Sequence, residues 1–341
     1  MKKYILAIII CILCCACQMH KNDMAEIQMF AMDTFIDLKA EGENGEKALL
    51  EAEKEINRLE RLFSTTIEQS EIFAVNQYAS KQPITVSKDT FDLIEKAKKY
   101  YSITEGAFDI TIAPVLKAWG FTEEVKRVPS DEEIQQKLQL VDDSKLHIDK
   151  QNSTIYLEKE NMSIDLGGIA KGYASDKVNE ILKKNGVSSA VISLGGNVSV
   201  IGKRPDGTKW HIAVQDPINS EKYVGILNVE NTSVITSGVY QRFFEQDGKK
   251  YHHIIDTKTG KPAQTGLLSV TIVCDDGAMA DVLSTSVMVA GLQKGSELWR
   301  KLGNFGMIVI TDSNEMYISE DIADIFEPSD DLEYTVHTIQ K

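Results

Sequence analysis

The stretch Ile164-Asp165-Leu166-Gly167-Gly168-Ile169-Ala170-Lys171-Gly172-Tyr173-Ala174-Ser175-Asp176 sets a carboxylate, paired glycines and a lysine at the start of a helix. Before it, residues 154–157 and 162–164 read as strands. After it, Ile169, Ala170, Tyr173, Ala174, Val178, Ile181 and Leu182 recur at helical spacing until Asn185-Gly186 stops the run. The glycines therefore fall at a strand-to-helix turn. Backbone N–H groups without an intrahelical partner, together with the helix dipole, favour an anion there. The spacing matches neither the dinucleotide fingerprint nor the Walker loop, so a plain structural connection stays open.

The chain begins Met1-Lys2-Lys3, continues through an apolar run over residues 4–13 and reaches Cys14-Cys15-Ala16-Cys17 before turning polar at Gln18. That pattern predicts a secretory signal rather than a fold element. A small residue directly before a cysteine is similar to the lipobox cut by lipoprotein signal peptidase. The expected organisation is a signal peptide over 1–16, a lipidated tether over 17–27 and one large domain over 28–335. Cys17 is the expected lipidated residue, with Cys15 as the alternative. Four of the five cysteines lie within residues 1–17, so the body keeps only Cys274 and must be held by its core rather than by internal disulfides. An apolar fraction of 43% over most of 341 residues is enough for one. Removing Lys2 and Lys3 takes the formal charge from −14 to −16, which argues against nucleic acid and against electrostatic adhesion to anionic lipid. Attachment to the membrane then falls to the lipid.

Further along, residues 29–38 read as one strand through Met32-Asp33-Thr34. Leu49, Ala52, Ile56, Leu59 and Phe63 mark an amphipathic helix. Helices are expected over 88–101, 131–138 and 278–290. Strands are expected over 190–193, 198–202, 210–214, 225–229, 233–236, 268–274, 306–311 and 315–318, with a peripheral tail from 327.

Asp281 and Thr285 stand four residues apart in a helix otherwise almost wholly apolar or small, so both lie on one face. A carboxylate buried there needs a partner or a metal, and both are hard oxygen donors of the kind magnesium takes. His252-His253-Ile254-Ile255-Asp256, followed by Thr259-Gly260-Lys261-Pro262, places two imidazoles beside a strand and a tight turn. Successive strand residues face opposite ways, so at most one histidine can point into a given site. Zinc has little support, because no second cluster stands at ligand spacing. Ser193-Leu194-Gly195-Gly196-Asn197 and Ser237-Gly238-Val239-Tyr240 read as structural glycine turns.

Taken together these segments resemble the ApbE family of FAD:protein FMN transferases from about Met32 to Leu292. The resemblance rests on Ala31-Met32-Asp33-Thr34, Ala107-Phe108-Asp109 with Pro114 and Trp119-Gly120-Phe121, the glycine turn, residues 252–262, and Ala280-Asp281 with Thr285. It implies a single α+β body of mixed sheets packed with helices that binds FAD and Mg2+. Such a body moves FMN onto a Thr or Ser hydroxyl of an exported acceptor protein and releases AMP. By position, Gly168 through its carbonyl, Asp281 and Thr285 would hold magnesium. Met32, Ala107, Phe108, Asp109, Asp165, Lys171 and Ile255 match the family's flavin-dinucleotide contacts. His253 is the candidate near the phosphates or the acceptor hydroxyl, and Asp281 is a candidate base as well as a ligand, while Asp176 is read as structural. Two positions depart from the family pattern: Asp33 stands where many members carry Gly, and threonine stands in Phe63-Ser64-Thr65-Thr66 where many carry an aromatic. The chain holds no Gly-Ala-Thr segment of the kind family acceptors carry, so self-modification is not expected. Two rivals remain: a magnesium-dependent FAD pyrophosphatase giving FMN and AMP, and a lipid-anchored flavin-binding protein without turnover.

Overall fold

The computed structural model describes residues 24–341. Its spine is a nine-stranded sheet in the order Ala25–Ala31, Thr34–Ala40, Ala190–Leu194, Asn197–Ile201, Ser233–Gly238, Leu267–Cys274, Gly306–Thr311, Glu315–Ser319, Thr335–Ile339. All neighbours are antiparallel except the last pair, which is parallel. Side chains alternate between the faces of a strand, so Val270 and Ile272 join one core while Val273 joins another. The larger core lies between the sheet and the helices Gly45–Phe63, Ala170–Lys184 and Gly277–Ala290. On the other face, Val234, Ile308 and Ile310 pack with Trp210 and Leu227 of a three-stranded sheet. This layering of mixed sheets and helices is the expected α+β architecture.

The body extends beyond the expected bounds of 28–335. The first strand opens at Ala25, inside the expected tether, and Thr335–Ile339 closes the main sheet with Ile339 buried. The stretch after 327 is thus part of the fold. Cys17 and the signal peptide lie outside the described residues.

Residues 29–38 form a hairpin rather than one strand. Ala25–Ala31 and Thr34–Ala40 pair around Met32 and Asp33, whose φ angles are 52° and 58°. Two central residues with positive φ make the tight turn that matches strand twist. Neither is the Gly or Asn that signals such a turn, so the alternating pattern reads straight through it. Residues 162–164 are not a strand either. The amide of Asn76 substitutes for a neighbouring strand, donating to Ile164 O at 3.0 Å and accepting from Ile164 N at 2.7 Å. The helices Glu71–Tyr78 and Leu292–Leu302 were not expected.

The helices Ala170–Lys184 and Gly277–Ala290 touch backbone to backbone. A Cβ on Gly172 would lie 2.1 Å from Gly277 O and 2.5 Å from its carbonyl carbon. One turn further on, the half-buried Asp176 carboxylate accepts from Gly277 N at 2.8 Å and Ala278 N at 3.0 Å, capping the second helix from the first. Burial holds that carboxyl up at about 6. Asp176 is therefore a structural clamp, as its place along the helix implied. Gly172→Ala would force two backbones apart, with an overpacking cost on the order of 3 kcal/mol. Urea denaturation of the variant should show a lower midpoint at an unchanged slope, and an unaltered midpoint would contradict the contact.

Candidate active site

The glycine turn and the Asp281 helix meet just beyond that contact. In a regular helix the Gly172 N–H would bond the carbonyl of Gly168, four residues back. Here it donates to Asp281 Oδ2 at 3.0 Å instead, which releases the Gly168 carbonyl from the helical ladder. Asn197 Nδ2 donates to Asp281 Oδ1 at 3.0 Å, so each carboxylate oxygen is fixed by one donor and keeps acceptor capacity. Asp281 is buried, and Thr285 is the only half-exposed residue from Gly277 to Met288. A Cβ on Gly168 would sit 3.8 Å from Thr285 Oγ1 and 3.1 Å from the Phe108 ring. The Thr285 hydroxyl also lies 3.2 Å from Ser237 Oγ, which is 2.8 Å from Ser284 Oγ.

Gly168, Asp281 and Thr285 are thus brought together as a carbonyl, a carboxylate and a hydroxyl. That all-oxygen set fits a hard divalent cation, and the freed carbonyl has no other evident use. Among the described residues no group of three or more His, Cys, Asp or Glu stands at metal-holding distance. The N–H groups of the turn are divided. Gly167 N bonds Asp165, Ile169 N and Ala170 N both bond Leu166 O, and Gly172 N goes to Asp281, whereas Gly168 N and Lys171 N have no hydrogen-bond partner among the described residues. The turn therefore presents two N–H groups as well as a carbonyl.

Further positive charge comes from side chains. Lys171 is half-buried and makes no ion pair or hydrogen bond to another described residue. Arg242 bonds Asp33 through carboxylate and carbonyl, at 2.9 and 3.1 Å. Both cations act on Asp165 and His253, which places the four groups in one neighbourhood. Asp165 accepts from Gly167 N at 2.7 Å, and the loss of water around it raises its carboxyl above the usual range. His253 Nδ1 lies 3.1 Å from Arg242 O. A carbonyl only accepts, so Nδ1 carries the hydrogen and Nε2 keeps its lone pair. Burial, then Arg242 and Lys171, bring the imidazole down to about 3. Its neighbour His252 is turned away, with Nε2 on Ala263 O at 3.1 Å, so only one of the two histidines serves this site.

The remaining expected contacts form the walls. Met32 N donates to Glu60 Oε1 at 2.7 Å, and Asp33 holds the left-handed conformation that glycine would have taken. Ala107 and Phe108 are buried; Thr104 Oγ1 accepts from Phe108 N, and Thr257 Oγ1 donates to Gly106 O at 2.6 Å. Asp109 and Ile255 are less available than expected. Asp109 Oδ1 accepts from Thr111 N and Oγ1 at 2.8 and 2.7 Å, capping a short 3-10 turn, and burial raises its carboxyl. The Ile255 side chain packs with Val115, Trp119 and Ile134 in a satellite core, leaving its backbone to meet a ligand. Trp119 Nε1 bonds Gly260 O at 2.8 Å, which ties two of the matched segments together. Sequence reasoning missed Asn197, Ser237 and Arg242. The first two stood in segments read as turns, and a lone Arg carries no pattern.

A model of the ApbE family matches residues 32–309. The chain belongs to the ApbE family. A relative named FAD:protein FMN transferase from Klebsiella pneumoniae strain 342 is 33% identical, the match covering 81% of this chain and 85% of that protein. One of the same name from Vibrio cholerae is 34% identical over 68% and 70%. Among solved structures, the ApbE protein of Thermotoga maritima aligns with a TM-score of 0.83 at 32% identity, covering 89% of this chain and 99% of that one. The Vibrio cholerae flavin transferase ApbE aligns at 0.81 and 27% identity, over the same shares.

The depressed His253 has a stability consequence. Unfolded, its imidazole takes a proton near pH 6.5, whereas folded it resists down to about 3. The stability it contributes is present above 6.5 and is lost as pH falls from there. His253→Gln should therefore flatten the decline of the denaturation midpoint between pH 7 and pH 5. An equally steep decline would contradict the lowered, neutral imidazole.

Proposed function

We propose that this flavin transferase cleaves FAD with magnesium, moving FMN onto a Thr or Ser hydroxyl of an exported acceptor protein and releasing AMP. The observation that carries the reading is the Gly168 carbonyl, freed from its helix beside Asp281 and Thr285 and close to a wall of Lys171, Arg242 and His253. The names of the relatives support FAD as the flavin donor and a protein as its acceptor. The run of residues 1–17 supports export and anchoring to the cell membrane through a lipid on Cys17.

Gly168, Asp281 and Thr285 would hold the magnesium ion. When bound it supplies charge neutralisation for the pyrophosphate as the bond breaks. Asn197 and Gly172 N keep the Asp281 carboxylate in one orientation. Lys171 and Arg242 bring positive charge toward the phosphates. His253 Nε2, neutral at physiological pH, accepts the proton of the acceptor hydroxyl as its oxygen bonds the FMN phosphorus. The bridging P–O bond breaks and the electron pair leaves with AMP. Phosphate charge beside the imidazole favours its protonated form, which lets it keep that proton. With both Asp281 oxygens already held, His253 suits the role of base better than Asp281 does.

The test is incubation with FAD, Mg2+ and exported proteins from the source cell, read by intact mass for added FMN and by AMP release. Asp281→Ala should still bind FAD while transfer and AMP release fall on the order of a hundredfold or more. Wild type releasing FMN and AMP with no protein adduct would indicate a pyrophosphatase, and no AMP at all a flavin-binding protein.

A further inference from the structure

A cleft lined by Asp33, Phe121, Lys126, Gln241, Arg242 and Phe243 opens beside the site. It is continuous with the proposed chemistry, because the Arg242 carbonyl holds His253 Nδ1. Its rim is unusually apolar. Phe30 and Phe35 are 62% and 81% exposed. They form a cross-strand pair with ring centroids 5.3 Å apart, two residues to either side of the Met32-Asp33 turn. Val125 is 74% exposed next to Lys126, and Phe243 is 37% exposed in the cleft wall. Four of the nine large apolar side chains exposed among the described residues therefore stand around this one opening.

The face of the hairpin that carries Phe30 and Phe35 is not needed for folding. Met29, Ala31 and Ile36 face the core, while the two aromatics point to solvent. Exposed aromatic pairs of this size mark interaction surfaces more often than decoration. The local charge differs from that of the whole chain. Lys126 and Arg242 outnumber Asp33 in the cleft lining itself, although the chain carries −14 overall.

We propose that this cleft and its aromatic rim dock the acceptor polypeptide, seating an apolar and acidic loop so that its hydroxyl reaches His253. The inference rests on the transferase reading, since only a protein acceptor must cross the surface beside the site. Arg242 is half-exposed and paired with a still more exposed Asp33. An acidic side chain of the acceptor can take over that guanidinium at little loss, because a surface ion pair contributes little on its own. Phe30 and Phe35 supply rigid aromatic anchors next to it. A bilayer is the weaker occupant. The chain joins the sheet at Ala25, and the aromatic end of that strand lies about 20 Å away at the usual rise per residue.

The experiment uses the full-length protein and the exported protein of its own cell that gains covalent flavin only when this chain is present, purified without FMN. The Phe30→Ser/Phe35→Ser double variant should lose roughly tenfold or more in kcat/KM for that acceptor. FAD affinity and the denaturation midpoint should stay at wild-type values, and Phe35→Trp should restore transfer. Wild-type transfer matched by the double variant at an unchanged acceptor KM would overturn the docking surface and leave the transferase reading intact. Loss of binding to phosphatidylglycerol vesicles with transfer unaffected would assign the pair to the bilayer and overturn it as well. No covalent flavin from wild type would instead fail the transferase reading on which it stands.

Discussion

The contact of Gly172 with Gly277 is the constraint on which the site depends. Two helices approach until their backbones touch, and no side chain other than hydrogen fits at either position. That approach lets the Gly172 N–H reach Asp281, one helical turn beyond the contact, at 3.0 Å. A bond that would have closed the first turn of one helix is given to a carboxylate of the other. The consequence is a Gly168 carbonyl left out of the helical ladder, on a residue beside Thr285. Asp176 secures the same crossing from its far side by capping the second helix. The packing of two helices and the oxygen groups proposed to hold a cation are therefore one arrangement.

Around that corner the remaining groups divide by charge. Oxygen donors gather on the side of Asp281, Ser237 and Thr285, where the helix Gly277–Ala290 is otherwise closed to solvent. Cations and the imidazole come from Lys171 and from the segment from Arg242 to His253. The hairpin turn at Asp33 reaches across to Arg242 and joins that wall to the edge of the main sheet.

Much of this was legible in the residues. Helix 131–138 and strand 306–311 have the bounds that capping and a short continuous apolar run imply, because each is bounded by clear signals: Ser130 before the helix and Gly306 at the head of the strand. Asp281 and Thr285 were legible as a pair because helical spacing puts them on one face whatever they pack against. The Met32-Asp33 turn was not, since positive φ at Met and Asp is imposed by hydrogen bonds to Glu60 and Arg242 from distant segments. Asn197, Ser237 and Arg242 were missed for the same reason. Their roles are set by partners 84, 48 and 209 residues away, and no local pattern carries that information. The turn at Gly167-Gly168 was legible in its location, but not in the carbonyl it frees. Glycine turns before helices usually offer N–H groups, and only the tertiary contact with Asp281 reveals that the Gly168 carbonyl is released as well.

The central claim is that the helix crossing creates a cation site from Gly168, Asp281 and Thr285. A crystal grown with FAD and Mn2+ in place of Mg2+, measured for anomalous scattering, tests it most directly. The account predicts one strong peak bounded by the Gly168 carbonyl, the Asp281 carboxylate and the Thr285 hydroxyl. A peak held by other residues, or FAD bound with the Gly168 carbonyl returned to the Gly172 N–H and no peak beside Asp281, would contradict it.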